Sequence, residues 1–135
     1  MWIHEIKHDG YRLIVRRVED RVRLFTRRGF DWTDRFPRVL EGARRLKARS
    51  FILDGEAVIC RADGVADFAR LHSRAYEEEV ILFGFDLLEL NGEDLRSQQT
   101  EKRKGKLEKL LSRTRSEIYF TEHMHEDGAL MFKHS

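Results

Sequence analysis

From Val80 to Leu88 the chain is apolar at every position except Asp86. Such a run has no solvated face to offer in a sheet, so it demands strand neighbours on its edges and packed side chains around it. Asn91-Gly92 follows, the dipeptide best suited to the tight turn of a β-hairpin. The sequence therefore predicts a buried central strand leading into a hairpin, and the remaining residues have to supply its surroundings.

Several segments are suited to that role. Tyr11 to Val18 and Arg21 to Thr26 are rich in β-branched and aromatic residues and are separated by Glu19-Asp20, which predicts an antiparallel hairpin with a polar tip, closed beyond by Arg28-Gly29. Residues 2–7 alternate and run into Asp9-Gly10, a strand entering a turn. Phe51 to Ile59 reads as a strand interrupted by Asp54-Gly55-Glu56, with another turn at Asp63-Gly64. Phe36, Val39, Leu40, Ala43 and Leu46 recur at helical spacing, with Thr33 or Asp34 as the cap and Pro37 early enough to be tolerated. Asp67 is placed to cap a short helix carrying Phe68 and Leu71. Ser97 or Thr100 opens another helix with Leu107, Leu110 and Leu111 inward, weakened by about 1 kcal/mol at Gly105. A short strand over 117–121 and the start of a helix at Asp127 complete the pattern. Strands outnumber helices and hairpins predominate, so the expected class is α+β with mainly antiparallel sheet and flanking helices.

With 135 residues there is material for one core, and residues 1–135 read as a single domain. A content of 41% hydrophobic and 37% charged residues, with 9 Phe, 3 Tyr and 2 Trp, excludes a disordered tail or a collagen-like chain. The longest apolar stretch is far below the roughly 18 residues that span a bilayer, and Glu5, Lys7 and Asp9 interrupt any secretory signal. The expectation is a cytoplasmic protein without membrane contact. The one cysteine, Cys60, reads as a small apolar residue and forms no intramolecular disulfide or cysteine-based zinc site. His123 and His125, at i and i+2 of a strand, would point to opposite faces and read as surface residues rather than metal ligands.

The net charge of +2 conceals three blocks. Residues 12–49 carry 13 basic and 5 acidic side chains, residues 50–94 carry 3 and 11, and residues 95–115 carry 8 and 2. A polyanion on one face and a metal near another would explain the pattern, and so would ordinary solvated faces. The Lys102-Arg103-Lys104-Lys106 cluster has the same two readings, DNA phosphate or an exposed helix face.

Chemistry concentrates in Lys7-His8-Asp9-Gly10-Tyr11-Arg12. A Lys-x-Asp-Gly-x-Arg match arises by chance in about one chain in a thousand of this length. It is either a hairpin with two surface cations or a nucleophile beside a phosphate-binding guanidinium. The second reading needs the Lys7 amine deprotonated, because an ammonium has no lone pair, and nearby cations favour that. Three more motifs follow in order: Thr26-Arg27-Arg28-Gly29, Leu53-Asp54-Gly55-Glu56-Ala57, and Leu82-Phe83-Gly84-Phe85-Asp86-Leu87-Leu88. With them the run to about Leu95 resembles the nucleotidyltransferase domain of ATP-dependent DNA ligases, most closely the bacterial end-joining type.

That resemblance implies an ATP-grasp-like adenylation fold in which Lys7 is the catalytic nucleophile. It attacks the α-phosphate of ATP, pyrophosphate leaves, and the adenylate passes to a DNA 5′-phosphate before a 3′-hydroxyl seals the nick. Glu5 would lie by the adenine amino edge, Arg12 and Arg27 would contact the nucleotide or the nick phosphate, and Phe85 would stack on the base. Glu56 would bind the ribose or a divalent metal, Mg2+ or Mn2+. Gly10 would allow a turn that a Cβ would hinder, and Asp9 and Asp54 read as turn formers. The implied partners are ATP and nicked or broken duplex DNA.

The family domain also includes a Glu-Gly strand, a lysine-rich motif and then an OB-type domain, none of which residues 1–135 contain, so the expectation is the front part of such a domain. Its full activity alone is doubtful, and open sheet edges would favour self-association. Two alternatives stay open: an RNA ligase or capping-type nucleotidyltransferase, and a catalytically silent nucleotide- or DNA-binding remnant.

Overall fold

The computed structural model describes residues 10–121. The elements run β1 (Tyr11–Val18), β2 (Arg21–Thr26), α1 (Pro37–Arg45), β3 (Ser50–Val58), α2 (Phe68–His72), a 3-10 turn at Glu77–Glu79, β4 (Ile81–Leu90), β5 (Glu93–Asp94), α3 (Thr100–Ser112) and β6 (Ile118–Phe120). The strands form one six-stranded sheet in the order β2-β1-β3-β4-β5, with β6 also paired to β4. Every pairing is antiparallel except that of β6 with β4.

The apolar run is the central strand, as its composition requires. β3 flanks β4 along most of its length, while β6 meets Leu82 to Gly84 and β5 meets Glu89 and Leu90. Leu82, Phe83 and Leu87 are at most 1% exposed. Asn91 and Gly92 both adopt positive φ, 50° and 92°, which is the tight hairpin turn that Asn-Gly favours. The β1–β2 hairpin likewise turns at Glu19-Asp20, with Val18 opposite Arg21.

Alternation then decides which face each strand buries. Leu13 and Val15 of β1, Val22 and Leu24 of β2 and Leu53 of β3 join Val39 and Ala43 of α1 and Leu107, Leu110 and Leu111 of α3 in one cluster. On the reverse face of the sheet, Ile14, Phe25 and Ile52 are only half-buried and Arg16 and Arg23 are exposed.

Three expectations are corrected. The strand over 51–59 is not interrupted: β3 runs unbroken through Asp54-Gly55-Glu56, because Gly55 is needed for close approach and not for a turn. A Cβ there would lie 2.7 Å from the Phe83 carbonyl oxygen. The first helix begins at Pro37, without a capping side chain at Phe36. Thr33, read as its cap, instead holds the preceding loop, its hydroxyl accepting from the Leu24 amide at 3.0 Å. The charge blocks are not separate faces either. Arg12 pairs with Asp54, Arg35 with Glu77, Arg103 with Asp86 and Lys106 with Glu93, so the basic blocks dock onto the acidic one. Two members of the Lys102 to Lys106 cluster are thereby engaged within the fold.

Other readings stand. Asp67 caps α2 by accepting from the Arg70 amide at 3.0 Å. Cys60 is half-buried and burial pushes its thiol pKa up, which makes it a weak nucleophile. No described helix is long and apolar enough to cross a membrane. The strand expected over 2–7, His123, His125 and the helix from Asp127 lie outside the described residues.

Arg17 ties the hairpin to α1. Its Nη1 donates to the carbonyls of Ala43, Arg44 and Leu46 at 3.1, 3.1 and 2.8 Å, at the helix end where the Leu46 and Ala48 amides donate to two of the same carbonyls. Charged hydrogen bonds of this kind contribute about 1.5–3 kcal/mol, so Arg17→Ala is expected to lower unfolding free energy by about 2 kcal/mol in a denaturant titration.

Glu77 supplies a pH dependence. Burial raises its pKa, but hydrogen bonds from Arg35 and Arg74 outweigh that and hold it below its usual 4.5. The folded pKa lies under the unfolded one, so the stabilisation is present at neutral pH and is lost as pH falls below the ordinary glutamate value through the lower folded one. Acid titration of Glu77→Gln should show a shallower loss of stability than the wild type.

Candidate active site

A cleft of about 570 Å³ opens where β1, β3 and β4 adjoin. Gly10, Arg12, Arg27, Glu56 and Phe85 line it together with Tyr11, Thr26, Arg28, Phe30 and Trp32. Four residues named from sequence motifs, Arg12, Arg27, Glu56 and Phe85, therefore meet in one cavity although they span seventy positions of chain. Glu5 and Lys7 lie outside the described residues. Gly10, three positions after Lys7, is part of the cleft wall.

Pairing across strands explains the assembly. Arg12 of β1 sits directly opposite Glu56 of β3, and Glu56 is in turn opposite Phe83 of β4. The β3–β4 ladder then loses register: Gly55 pairs with Gly84 and Asp54 with Asp86, so Phe85 is the extra residue of a bulge. Phe85, two residues from Phe83, shares the face of Phe83 and Glu56 and so reaches the cleft beside Arg12, while the bulge brings the next residue, Asp86, opposite Asp54. The Arg12 guanidinium lies over the Phe85 ring, 4.8 Å from its centroid.

Arg12 is not a free cation. Its Nε and Nη2 donate to the two carboxylate oxygens of Asp54 at 3.1 and 2.7 Å, a bidentate fork. That hydrogen bonding raises its pKa against the opposing effect of burial, with further help from the charges of Asp54, Glu56 and Asp86. Asp54, expected as a turn former, is thus the anchor of the cleft arginine. Asp54 and Asp86 face each other across the ladder, a like-charge pair held by arginines on both sides, since Arg103 Nε donates to Asp86 at 2.9 Å.

Glu56 is only 4% exposed. A Cβ at Gly10 would collide with its carboxylate, so glycine is required there by space rather than by a left-handed φ. Among the described residues no three His, Cys, Asp or Glu side chains cluster as metal ligands. Among the described residues lining the cleft a hard cation would find one carboxylate, Glu56, and could take further oxygens from phosphate and water, which is the usual manner of Mg2+ beside a nucleotide.

Sequence reasoning missed the aromatic rim. Phe30 is 60% exposed at the mouth. Behind it Trp32 packs edge-on against Tyr11 at 5.2 Å and carries the Arg35 guanidinium at 4.1 Å. The only signal was the density of aromatics after Gly29, whose φ of 91° turns the loop so that Thr26 and Phe30 bond each other.

Residues 1–131 match the model of the ATP dependent DNA ligase domain. The chain belongs to that family. The multifunctional non-homologous end joining protein LigD of Pseudomonas aeruginosa is 38% identical over 130 residues, which are 93% of this chain and 16% of the relative. The LigD of Mycobacterium tuberculosis is 36% identical over 131 residues, 97% of this chain and 17% of the relative. The chain thus spans about a sixth of these relatives. Among solved structures, the ligase domain of M. tuberculosis LigD superposes with a TM-score of 0.71 at 32% identity, covering 88% of this chain and 39% of that one. A mycobacterial DNA ligase D complexed with ATP and MES gives 0.70.

The ligase-domain cleft yields a direct test of its packing. Gly10→Ala forces the Glu56 carboxylate aside, and overpacking of this kind destabilises by about 1–3 kcal/mol. Denaturant unfolding of the variant should show that loss. Wild-type stability would mean that Glu56 yields without resistance.

Proposed function

We propose that this chain carries the nucleotide-binding part of an ATP-dependent DNA ligase acting in end joining. The observation that supports it most is the convergence of Arg12, Arg27, Glu56 and Phe85 on one cleft, at the point where the Lys7 segment enters the described fold.

In the reaction, the unprotonated Lys7 amine attacks the α-phosphorus of ATP, the bond to the β-phosphate breaks, and pyrophosphate leaves with the electron pair. A lysyl-AMP phosphoramidate results. A DNA 5′-phosphate then displaces the lysine and takes the adenylate, and the 3′-hydroxyl attacks that phosphate to release AMP. Phe85 offers a flat aromatic face to the base. Arg27 and Arg28, both exposed at the cleft, offer guanidinium donors to phosphate oxygens. Arg12, fixed by Asp54 and lying on Phe85, holds that ring in place. Glu56 is suited either to a ribose hydroxyl or to one position on Mg2+, whose chemistry when bound is to neutralise phosphate charge. Glu5 would complete the base pocket.

Incubation with α-labelled ATP and magnesium should label either nothing or Lys7 alone, and Lys7→Arg, still protonated at neutral pH, should abolish any labelling while leaving the fold unchanged. Acid-stable label mapped to another residue would overturn the assignment. Phe85→Ala is expected to weaken ATP binding by about 1–3 kcal/mol, the range for aromatic stacking on a base. Titration calorimetry on the folded variant measures it, and unchanged affinity would return Phe85 to a packing role.

A further inference from the structure

We infer that the reverse face of the β1–β2 hairpin is a phosphodiester-binding track that carries a DNA strand toward the cleft; the choice of DNA rests on the reading of the cleft as a ligase site.

The first observation is a like-charge pair. Arg16 and Arg23 are direct partners across the ladder, both exposed, and Arg21 is opposite Val18 one step further on. Like charges directly opposite one another destabilise a sheet, so the arrangement needs a counter-charge. The neighbouring strand supplies none at that level, because the residue opposite Arg16 on β3 is Ile52.

The second observation is that nearby acids are engaged elsewhere. Glu19 is bound by Arg49, Glu89 accepts from Ser50 and the Gly92 amide, and Asp54 is held by Arg12. Asp31 approaches Arg23 no nearer than 3.9 Å, with both side chains about half exposed. Asp20, at the hairpin tip, is the remaining acid. Elsewhere the described arginines are largely tied to carboxylates, as at Arg35, Arg38, Arg70 and Arg103, whereas Arg16, Arg21, Arg27 and Arg28 make no ion pair with a described residue.

The third is direction. Alternation with the buried Val22 and Leu24 places Arg21, Arg23 and Phe25 on one face, and Arg27 follows just beyond the strand at the cleft. From Arg12 to Arg16 the strand covers about 13 Å at roughly 3.3 Å per residue. That is the axial length of about four nucleotides at about 3.4 Å each. A depression lined by Arg16, Val18, Arg21 and Arg23, with Glu19 and Asp20 at the hairpin tip, marks the far end. Guanidinium forks match phosphate oxygens and are indifferent to base sequence, as a ligase surface requires.

The test is equilibrium binding of nicked duplex DNA by the full chain over a salt series, alongside ATP binding in titration calorimetry. Replacing Arg16, Arg21 and Arg23 together by alanine should reduce the slope of log affinity against log salt by about 2.7, at about 0.9 per phosphate contact, with ATP binding unchanged. The corresponding glutamine variant, which keeps the aliphatic stems on the sheet, should lose the same amount. Because a repulsive pair is removed, both should melt at or above the wild-type temperature. A slope equal to the wild type in either folded variant, or tighter binding of the wild type to polyglutamate than to DNA, overturns the track. ATP binding with an unaltered slope refutes the track and leaves the cleft reading standing; an altered slope without ATP binding in titration calorimetry supports the track and refutes the cleft reading.

Discussion

The burial of β4 is the constraint from which the other features follow. A strand with no polar side chain from Val80 to Phe85 can be stable only with partners on its edges and a packed face, and β3, β5, β6 and α3 meet that demand. Asp86, midway along it, would be an uncompensated charge in this setting. The bidentate approach of Arg103 from α3 answers it and fixes the helix against the sheet at the same time.

Register is the second constraint, and it sets the charges beside the cleft. Alternation keeps Phe85 on the face of Phe83 and Glu56, where Arg12, braced by Asp54, lies against its ring. The bulge at Phe85 then brings Asp86 opposite Asp54. Gly10 and Gly55 serve the same end by different contacts: one leaves room for the Glu56 carboxylate, the other for the Phe83 carbonyl. Cleft-facing groups thus sit on paired strands whose backbone hydrogen bonds restrict their movement, so the cleft is organised in advance of any ligand.

Charge is distributed in two ways. Most arginines serve the fold: Arg17 closes the end of α1, Arg35 joins Glu77 and the aromatic group around Trp32, and Arg103 neutralises Asp86. On the β1–β2 face Arg16 and Arg21 make no ion pair with a described residue and Arg23 has only a long one to Asp31, so the Arg16–Arg23 repulsion is a cost within the sheet. The relatives that share this domain are multifunctional end-joining proteins, of which it forms about a sixth.

Much was legible in the sequence because it depended on local rules. The polar tip of the β1–β2 hairpin, the Asn91-Gly92 turn, the Asp67 cap and the inward leucines of α3 follow from turn chemistry and periodicity, which act over a few residues. The α+β class followed from them. The ordered motifs identified the family and singled out Arg12, Arg27, Glu56 and Phe85 among the residues that line the cleft. What tertiary structure alone decided is where those side chains point and what holds them. Asp-Gly at 54–55 is a turn pair by local preference, yet pairing on both sides of β3 made it strand and turned Asp54 into the partner of Arg12, forty-two positions away. The charge blocks gave totals without partners, and only folding showed which arginines are neutralised and which remain open. A residue's type and spacing fix local geometry, whereas ladder register and ion pairing are set by strands distant in sequence, and those contacts exist only once the sheet has formed.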